Sequence, residues 1–209
     1  MSKKTVETTT LPAIPPLVLA SGSRYRYALL QRLGLPFIAV APRIDEASRE
    51  GEQPAEIAVR LAEAKARAVA PQHPGALIIG SDQVADLHGM AIGKPRDRAD
   101  ALEQLRALRG RTVIFHTAVA LLNARTRICR GALVDVVSTF RNVDDATLEA
   151  YLDREQPFDC AGSVKAEGLG IALFTRIASD DPTALIGLPL IRLTDLLEAE
   201  GLRPLGPVA

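Results

Sequence analysis

The sequence predicts an α/β fold built on a mixed β-sheet, and three observations carry that expectation. Short apolar runs bounded by glycine or proline alternate with stretches of helical spacing along most of the chain, the pattern of packed sheet and helix layers. Two longer runs, 112–122 and 132–140, read as extended strands close enough in sequence to pair. The 209 residues are 47% hydrophobic and 24% charged, an ordinary globular composition with chain enough for a sizeable core without covalent staples. No internal repeat or low-complexity linker interrupts the chain. Residues 13–209 therefore read as one unit, with two lobes around a cleft, behind a polar leader at residues 1–12.

Pro12, Pro15 and Pro16 end the leader just before Leu17-Val18-Leu19-Ala20, a buried-strand signal. Ser21-Gly22-Ser23 breaks that run, and helical spacing (Tyr25, Leu29, Leu33) predicts a helix over 24–33, stopped by Gly34 and Pro36. A strand over 37–40 leads into the acidic turn Asp45-Glu46. Pro54 opens a helix whose buried stripe reads Ile57, Leu61, Ala64 and Ala68. Residues 76–80 form an apolar strand that ends at Ser81-Asp82-Gln83. After Gly93-Lys94-Pro95 come a helix over 99–108, the two long strands, a helix over 144–154, a strand over 169–174 and a last helix over 190–200.

Lys plus Arg and Asp plus Glu each number 25, so the chain lacks the basic surplus that draws proteins to nucleic acid or anionic membranes. No stretch approaches transmembrane length and the N-terminus has no apolar signal core, which points to a cytoplasmic protein with reduced thiols. Cys129 and Cys160 lack zinc spacing and read as small buried hydrophobes. His73, His88 and His116 are scattered, two of them in loops. Gly89 to Lys94 is one residue short of a phosphate loop, and Pro95 replaces its hydroxyl. Gly168-Leu169-Gly170 lacks the third glycine of a dinucleotide fingerprint, and no nucleophile elbow is present.

What remains is polar residues at the ends of apolar runs. Ser21 and Ser23 precede a helix, where free N–H groups favour an anion, and Arg26 follows in its first turn. The plainer reading makes Ser23 an N-cap beside solvated arginines. Glu46 and Asp82 each follow a strand, so both can reach one sheet edge, where two carboxylates plus substrate phosphates suit magnesium. Unrelated surface acids are the alternative. Lys94 is held in a glycine–proline turn, whereas a solvated position is the default for Lys65 in its alanine-rich helix.

In combination these pieces resemble the Maf family of nucleoside triphosphate pyrophosphatases. The matching segments are Leu19-Ala20-Ser21-Gly22-Ser23 with Arg26, Asp45-Glu46, Glu63-Ala64-Lys65-Ala66, Ser81-Asp82-Gln83 and Gly93-Lys94-Pro95. They continue with Cys160-Ala161-Gly162-Ser163, Glu167-Gly168-Leu169-Gly170 and Gly187-Leu188-Pro189-Leu190, eight pieces in the family's order. The resemblance implies a long mixed sheet flanked by helices, with two lobes around a central cleft, as in Maf and inosine triphosphatase-like folds. It also implies hydrolysis between the α and β phosphates with a divalent cation, Mg2+ or Mn2+. Asp82 matches the proton acceptor, Glu46 an acidic cleft residue, and Arg26, Lys65 and Lys94 the basic ones.

Ser81-Asp82-Gln83 and Ser163-Val164-Lys165-Ala166-Glu167-Gly168 are similar to the subgroup acting on 7-methyl-GTP rather than the dTTP/UTP subgroup. N7 methylation makes guanine cationic, which suits an aromatic face and a carboxylate. Tyr25 and Glu167 supply these, and Gln83 can hydrogen-bond a base edge. Tyr25 stands where members of the subgroup can carry Trp, and tyrosine stacks less strongly, which widens the expected base preference. The expected mechanism is in-line attack of water on the α-phosphorus. Glu46 and Asp82 hold the metal, Arg26, Lys65 and Lys94 neutralise the triphosphate, and Ser21 and Ser23 fix its register. The expected partner is a small nucleotide, with no nucleic acid or membrane. A homodimer is compatible with the fold, although no apolar stripe marks an interface. The rival readings are a dTTP/UTP pyrophosphatase of the same family and a nucleotide-binding regulator of cell division with incidental hydrolysis.

Overall fold

A computed structural model describes residues 15–206. Strand β1 (Leu17–Leu19) leads to helix α1 (Arg24–Gln31), whose N-cap Ser23 accepts from the Arg26 N–H. Strand β2 (Ile38–Ala39) and helix α2 (Pro54–Val69) follow. Pro54 pre-sets the first turn of α2, and Glu56 accepts from the Gln53 N–H at 3.0 Å. Strands β3 (Leu77–Leu87) and β4 (Met90–Ile92) form a hairpin before helix α3 (Arg98–Leu108), capped by Asp97. Strands β5 (Thr112–Asn123) and β6 (Ile128–Phe140) precede helix α4 (Asp145–Glu155), capped by Asp144. Strand β7 (Phe174–Ala178) and helix α5 (Leu190–Ala199) complete the described elements.

The sheet runs β2-β1-β3-β5-β6-β7, with β4 also on β3. The β1 pairings are parallel and the rest antiparallel, so the sheet is mixed as expected. Helices α1 and α5 cover one end of one face through Leu29, Leu30, Leu193 and Leu197, and α3 and α4 cover the other end through Leu105, Leu108, Leu148 and Leu152. Helix α2 packs on the opposite face. There β3 comes so close that a Cβ at Gly80 would lie 2.0 Å from the Ala62 carbonyl oxygen. Only glycine permits that approach, which brings the neighbouring Asp82 against α2.

The pairing of β3 changes partner along its length. Its register with β1 runs to Leu19↔Ile79, and that with β4 begins at Ala85↔Ile92. From 80 to 84, β3 is paired in the sheet only with β5. This break in the edge is where the cleft opens, and alternation sends Asp82 to one side of it and Ser81 and Gln83 to the other.

Several expectations need correction. Asp82 lies inside an 11-residue strand, not at a strand end, and the strand continues into a hairpin with β4 that the sequence pattern does not mark. The buried stripe of α2 includes Ile57, Leu61, Ala62, Lys65 and Ala66, while Ala64 and Ala68 are half-buried. Residues Leu169–Leu173 form a 3-10 helix, and strand begins only at Phe174. A Cβ at Gly170 would meet the Lys165 carbonyl at 2.4 Å, so the chain there is folded onto itself instead of extended. Cys129 and Cys160 are half-buried rather than fully buried. The leader lies outside the described residues. Among the described residues no helix is long and apolar enough to cross a membrane.

Candidate active site

The cleft at the β3 break encloses about 400 Å³ and gathers residues from α1, α2, β3 and the loops around residues 46, 94, 160 and 186. Its polar lining falls into two groups, each with charges of both signs close by.

At one end stand Arg26, Lys65 and Lys94 with Glu46 and Asp82. Lys65 is only 5% exposed because it lies on the i, i+4 stripe of α2 after Ile57 and Leu61. Its Nζ donates to Asp82 Oδ1 at 2.6 Å and pairs with Glu46 Oε1 at 2.9 Å. A buried ammonium needs such partners to offset the solvation it has lost. Burial alone would raise the Glu46 carboxyl. The Lys65 hydrogen bond, with Lys94 and Arg26 nearby, overcomes that and holds it below the usual carboxylate range. Arg26 donates from Nε to the Gly187 carbonyl at 2.8 Å. Burial pulls its pKa down, against the opposing charges of Asp82 and Glu46.

At the other end stand Tyr25, Asp159, Cys160 and Glu167, while Gln83 follows Asp82 on β3 and also lines the cleft. The Tyr25 hydroxyl donates to Asp159 Oδ1 at 3.1 Å and accepts from Arg24 at 2.7 Å. Burial raises the Tyr25 pKa and pushes the Cys160 thiol up to about 12, so Cys160 carries no thiolate for chemistry at neutral pH. Glu167 is exposed as a residue, yet the protein packed around its carboxyl raises its pKa, and Glu155 and Asp159 add to the rise against Lys165. Gly187 also lines the cleft. Its carbonyl accepts from Arg26 and, at 2.9 Å, from Ser81 Oγ.

This arrangement can be set beside known proteins. A family model described as Maf-like protein matches residues 16–200. The chain belongs to the Maf family. Curated relatives of this Maf chain include the 7-methyl-GTP pyrophosphatases of Albidiferax ferrireducens and Ralstonia nicotianae. The first is 53% identical over 91% of this chain and 96% of its own length, and the second 56% identical over 88% and 94%. That of Bordetella pertussis is 54% identical over 93% of this chain and 98% of its own length.

The Maf cleft collects nearly every residue singled out from the sequence: Ser23, Tyr25, Arg26, Glu46, Lys65, Asp82, Gln83, Lys94 and Glu167 all line it. Ser21 lies in an adjoining recess with Ser23. The two serines also serve the backbone, Ser21 Oγ accepting from the Ser23 N–H at 3.1 Å and Ser23 Oγ from the Arg26 N–H at 3.4 Å. Lys65 overturns its solvated default. The Tyr25 ring has the Arg24 guanidinium 4.8 Å and the Lys165 ammonium 5.8 Å from its centroid. Asp159 had no sequence signal, and Gly187 was marked only as part of the 187–190 segment, with nothing to show that its carbonyl would receive Arg26 and Ser81. Among the described residues no group of three His, Cys, Asp or Glu side chains could enclose a metal. The available donors are the oxygens of Glu46 and Asp82, which converge on Lys65 Nζ. That set fits a hard cation that completes its shell with phosphate and water, as magnesium does with nucleotides.

Proposed function

We propose that this Maf family member hydrolyses 7-methyl-GTP to 7-methyl-GMP and pyrophosphate, limiting entry of modified nucleotides into nucleic acid. The carrying observation is the polarity of the cleft, with three cations and two carboxylates at one end and an aromatic ring with two further carboxylates at the other. The first end suits a triphosphate, and the second suits a cationic base. The names of the relatives support the same substrate.

In the proposed reaction a water oxygen bonds to the α-phosphorus as the α–β anhydride opposite it breaks. Pyrophosphate leaves and the water gives up a proton. Asp82 turns one oxygen to Lys65 and has its other oxygen to orient the water and receive that proton. Arg26, Lys65 and Lys94 offset the charge that gathers on the leaving pyrophosphate. Glu46 and Asp82 would hold a divalent cation, Mg2+ or Mn2+, which when bound screens the phosphates and makes water more acidic. Ser21, Ser23 and the first N–H groups of α1 set the phosphate register. Tyr25 stacks on the base, displacing the exposed Arg24, and Glu167 favours its positive charge. Such a substrate places the enzyme in the cytoplasm.

Pyrophosphate release from 7-methyl-GTP, GTP, dTTP, UTP and CTP with Mg2+ tests the reading. A clear preference for 7-methyl-GTP supports it. Preference for dTTP or UTP keeps the reaction and overturns the base assignment, and binding without release makes the chain a nucleotide-binding regulator.

A further inference from the structure

The turn that carries Glu167 is clamped on both flanks by one carboxylate. The Gly168 N–H donates to the Lys165 carbonyl at 3.2 Å, so Ala166 and Glu167 form the tip of the turn. Glu155, the last residue of α4 and only 10% exposed in its side chain, reaches both flanks. It accepts from Lys165 Nζ at 2.6 Å and from the Leu169 N–H at 2.6 Å. A Cβ at Gly168 would lie 2.5 Å from Glu155 Oε2 and would push that carboxylate away. Tyr151, one turn earlier on α4, accepts from the Lys165 N–H at 3.0 Å.

An acid at this position works against the helix. The C-terminal end of α4 is the negative pole of its dipole, where cations are favoured, and burial strips solvation from the carboxylate as well. The backbone clamp on Leu169 needs only an acceptor, which an amide would supply. What a full negative charge adds is a hold on Lys165. Glu155 is the one carboxylate within salt-bridge distance of Lys165 among the described residues, yet the Lys165 and Glu167 charges still act on each other. The Lys165 ammonium keeps two further N–H donors and lies 5.8 Å from the Tyr25 ring centroid, beside the base end of the cleft. Left unpaired, it would neutralise Glu167 and repel a cationic base.

We infer that Glu155 is a positioning residue for base selectivity: it holds the Lys165 ammonium off Glu167 and leaves that carboxylate for a cationic ring. Neither Glu155 nor Lys165 lines the cleft, so the pair acts on the substrate through Glu167 and the local field. The inference rests on the proposed hydrolysis of 7-methyl-GTP and adds what keeps the base-facing carboxylate available.

The test is the ratio of kcat/KM for 7-methyl-GTP to that for GTP in two single variants and their combination. Glu155→Gln keeps the shape and an acceptor for Leu169 but releases Lys165. The ratio should fall about threefold while kcat for GTP holds. Lys165→Met should keep or raise the ratio, and adding it to Glu155→Gln should return the ratio to within about twofold of the unaltered protein. A pair that merely staples the turn predicts another pattern, in which both single variants lower the ratio and the combination is no better than either. That pattern overturns the inference, as does an unchanged ratio in Glu155→Gln. If Glu155→Gln fails to fold, Lys165→Met decides alone: a lowered ratio overturns the inference, and a kept or raised one supports it. An unaltered protein that cleaves GTP with no preference for 7-methyl-GTP defeats the proposed base and this inference with it. A preference indifferent to the pair defeats the inference only.

Discussion

The two ends of the cleft are built by different means. The end with Lys65 and Asp82 comes from α2 and β3, regular elements pressed together where Gly80 lets the strand backbone meet the helix. Its charged groups are paired to one another across elements, Lys65 with Asp82 and Glu46. The end with Tyr25, Asp159 and Glu167 depends on the loop segment around 159–167 beside helix α1, where Tyr25 and Cys160 both donate to Asp159. A charge-paired end suits chemistry common to all triphosphates. A loop-built end suits choosing among bases, because loops can vary without disturbing the catalytic frame.

The comparison can be broken most forcefully at Asp82. Asp82→Asn keeps shape and loses the proton acceptor, so kcat should fall by about 10²- to 10⁴-fold. KM and the preference for 7-methyl-GTP over GTP should hold, as steady-state kinetics on both nucleotides would show. Next in size is Lys65→Met, which strands Asp82 beside the core without its counter-charge. Thermal or urea unfolding should reveal a loss of about 3 kcal/mol. Part of that loss depends on pH. The Glu46 carboxyl is held below its ordinary value of 4.5, so its stabilisation is complete above that value and disappears as pH falls through the lowered one. The gap between Lys65→Met and the unaltered protein should narrow in melts taken at increasingly acidic pH.

Effects at the other end should be smaller and confined to selectivity. Glu167→Gln removes a partly solvated charge and should lower the preference for 7-methyl-GTP over GTP by about fivefold. Because the Glu167 carboxyl is raised above 4.5, the preference should weaken on acidification sooner than an ordinary carboxylate would allow. Tyr25→Phe keeps the ring and loses only the hydroxyl contacts to Asp159 and Arg24. Its kcat/KM should stay within about threefold, since both partners remain solvated.

Much of the fold was legible because periodicity survives tertiary context. Apolar runs marked β1, β5 and β6, and Pro54 with Ile57 and Leu61 marked α2. The failures have physical causes. Ser81-Asp82-Gln83 reads as the end of a strand because its polar side chains look solvated, but they face a cleft and three carbonyls of the 184–187 segment while the backbone stays paired to β5. The alanines of α2 gave several nearly equal choices of buried face, and the one adopted buries Lys65. The glycine pattern at 168–170 marked a close approach to Glu155 and Lys165, not a strand. Spacing brought Glu46 and Asp82 to one edge only as a conjecture, and it needed Lys65 between them to become a pair. Asp159 was illegible, since nothing in its neighbourhood announces a contact with Tyr25.

The most direct test of this division of labour is the ratio of kcat/KM for 7-methyl-GTP to that for GTP, measured in Asp82→Asn and in Glu167→Gln against the unaltered protein. The account predicts that Asp82→Asn slows both substrates alike and leaves the ratio intact, whereas Glu167→Gln lowers the ratio while kcat for GTP is kept. A ratio that moves with Asp82, or a kcat for both nucleotides that collapses with Glu167, would contradict it.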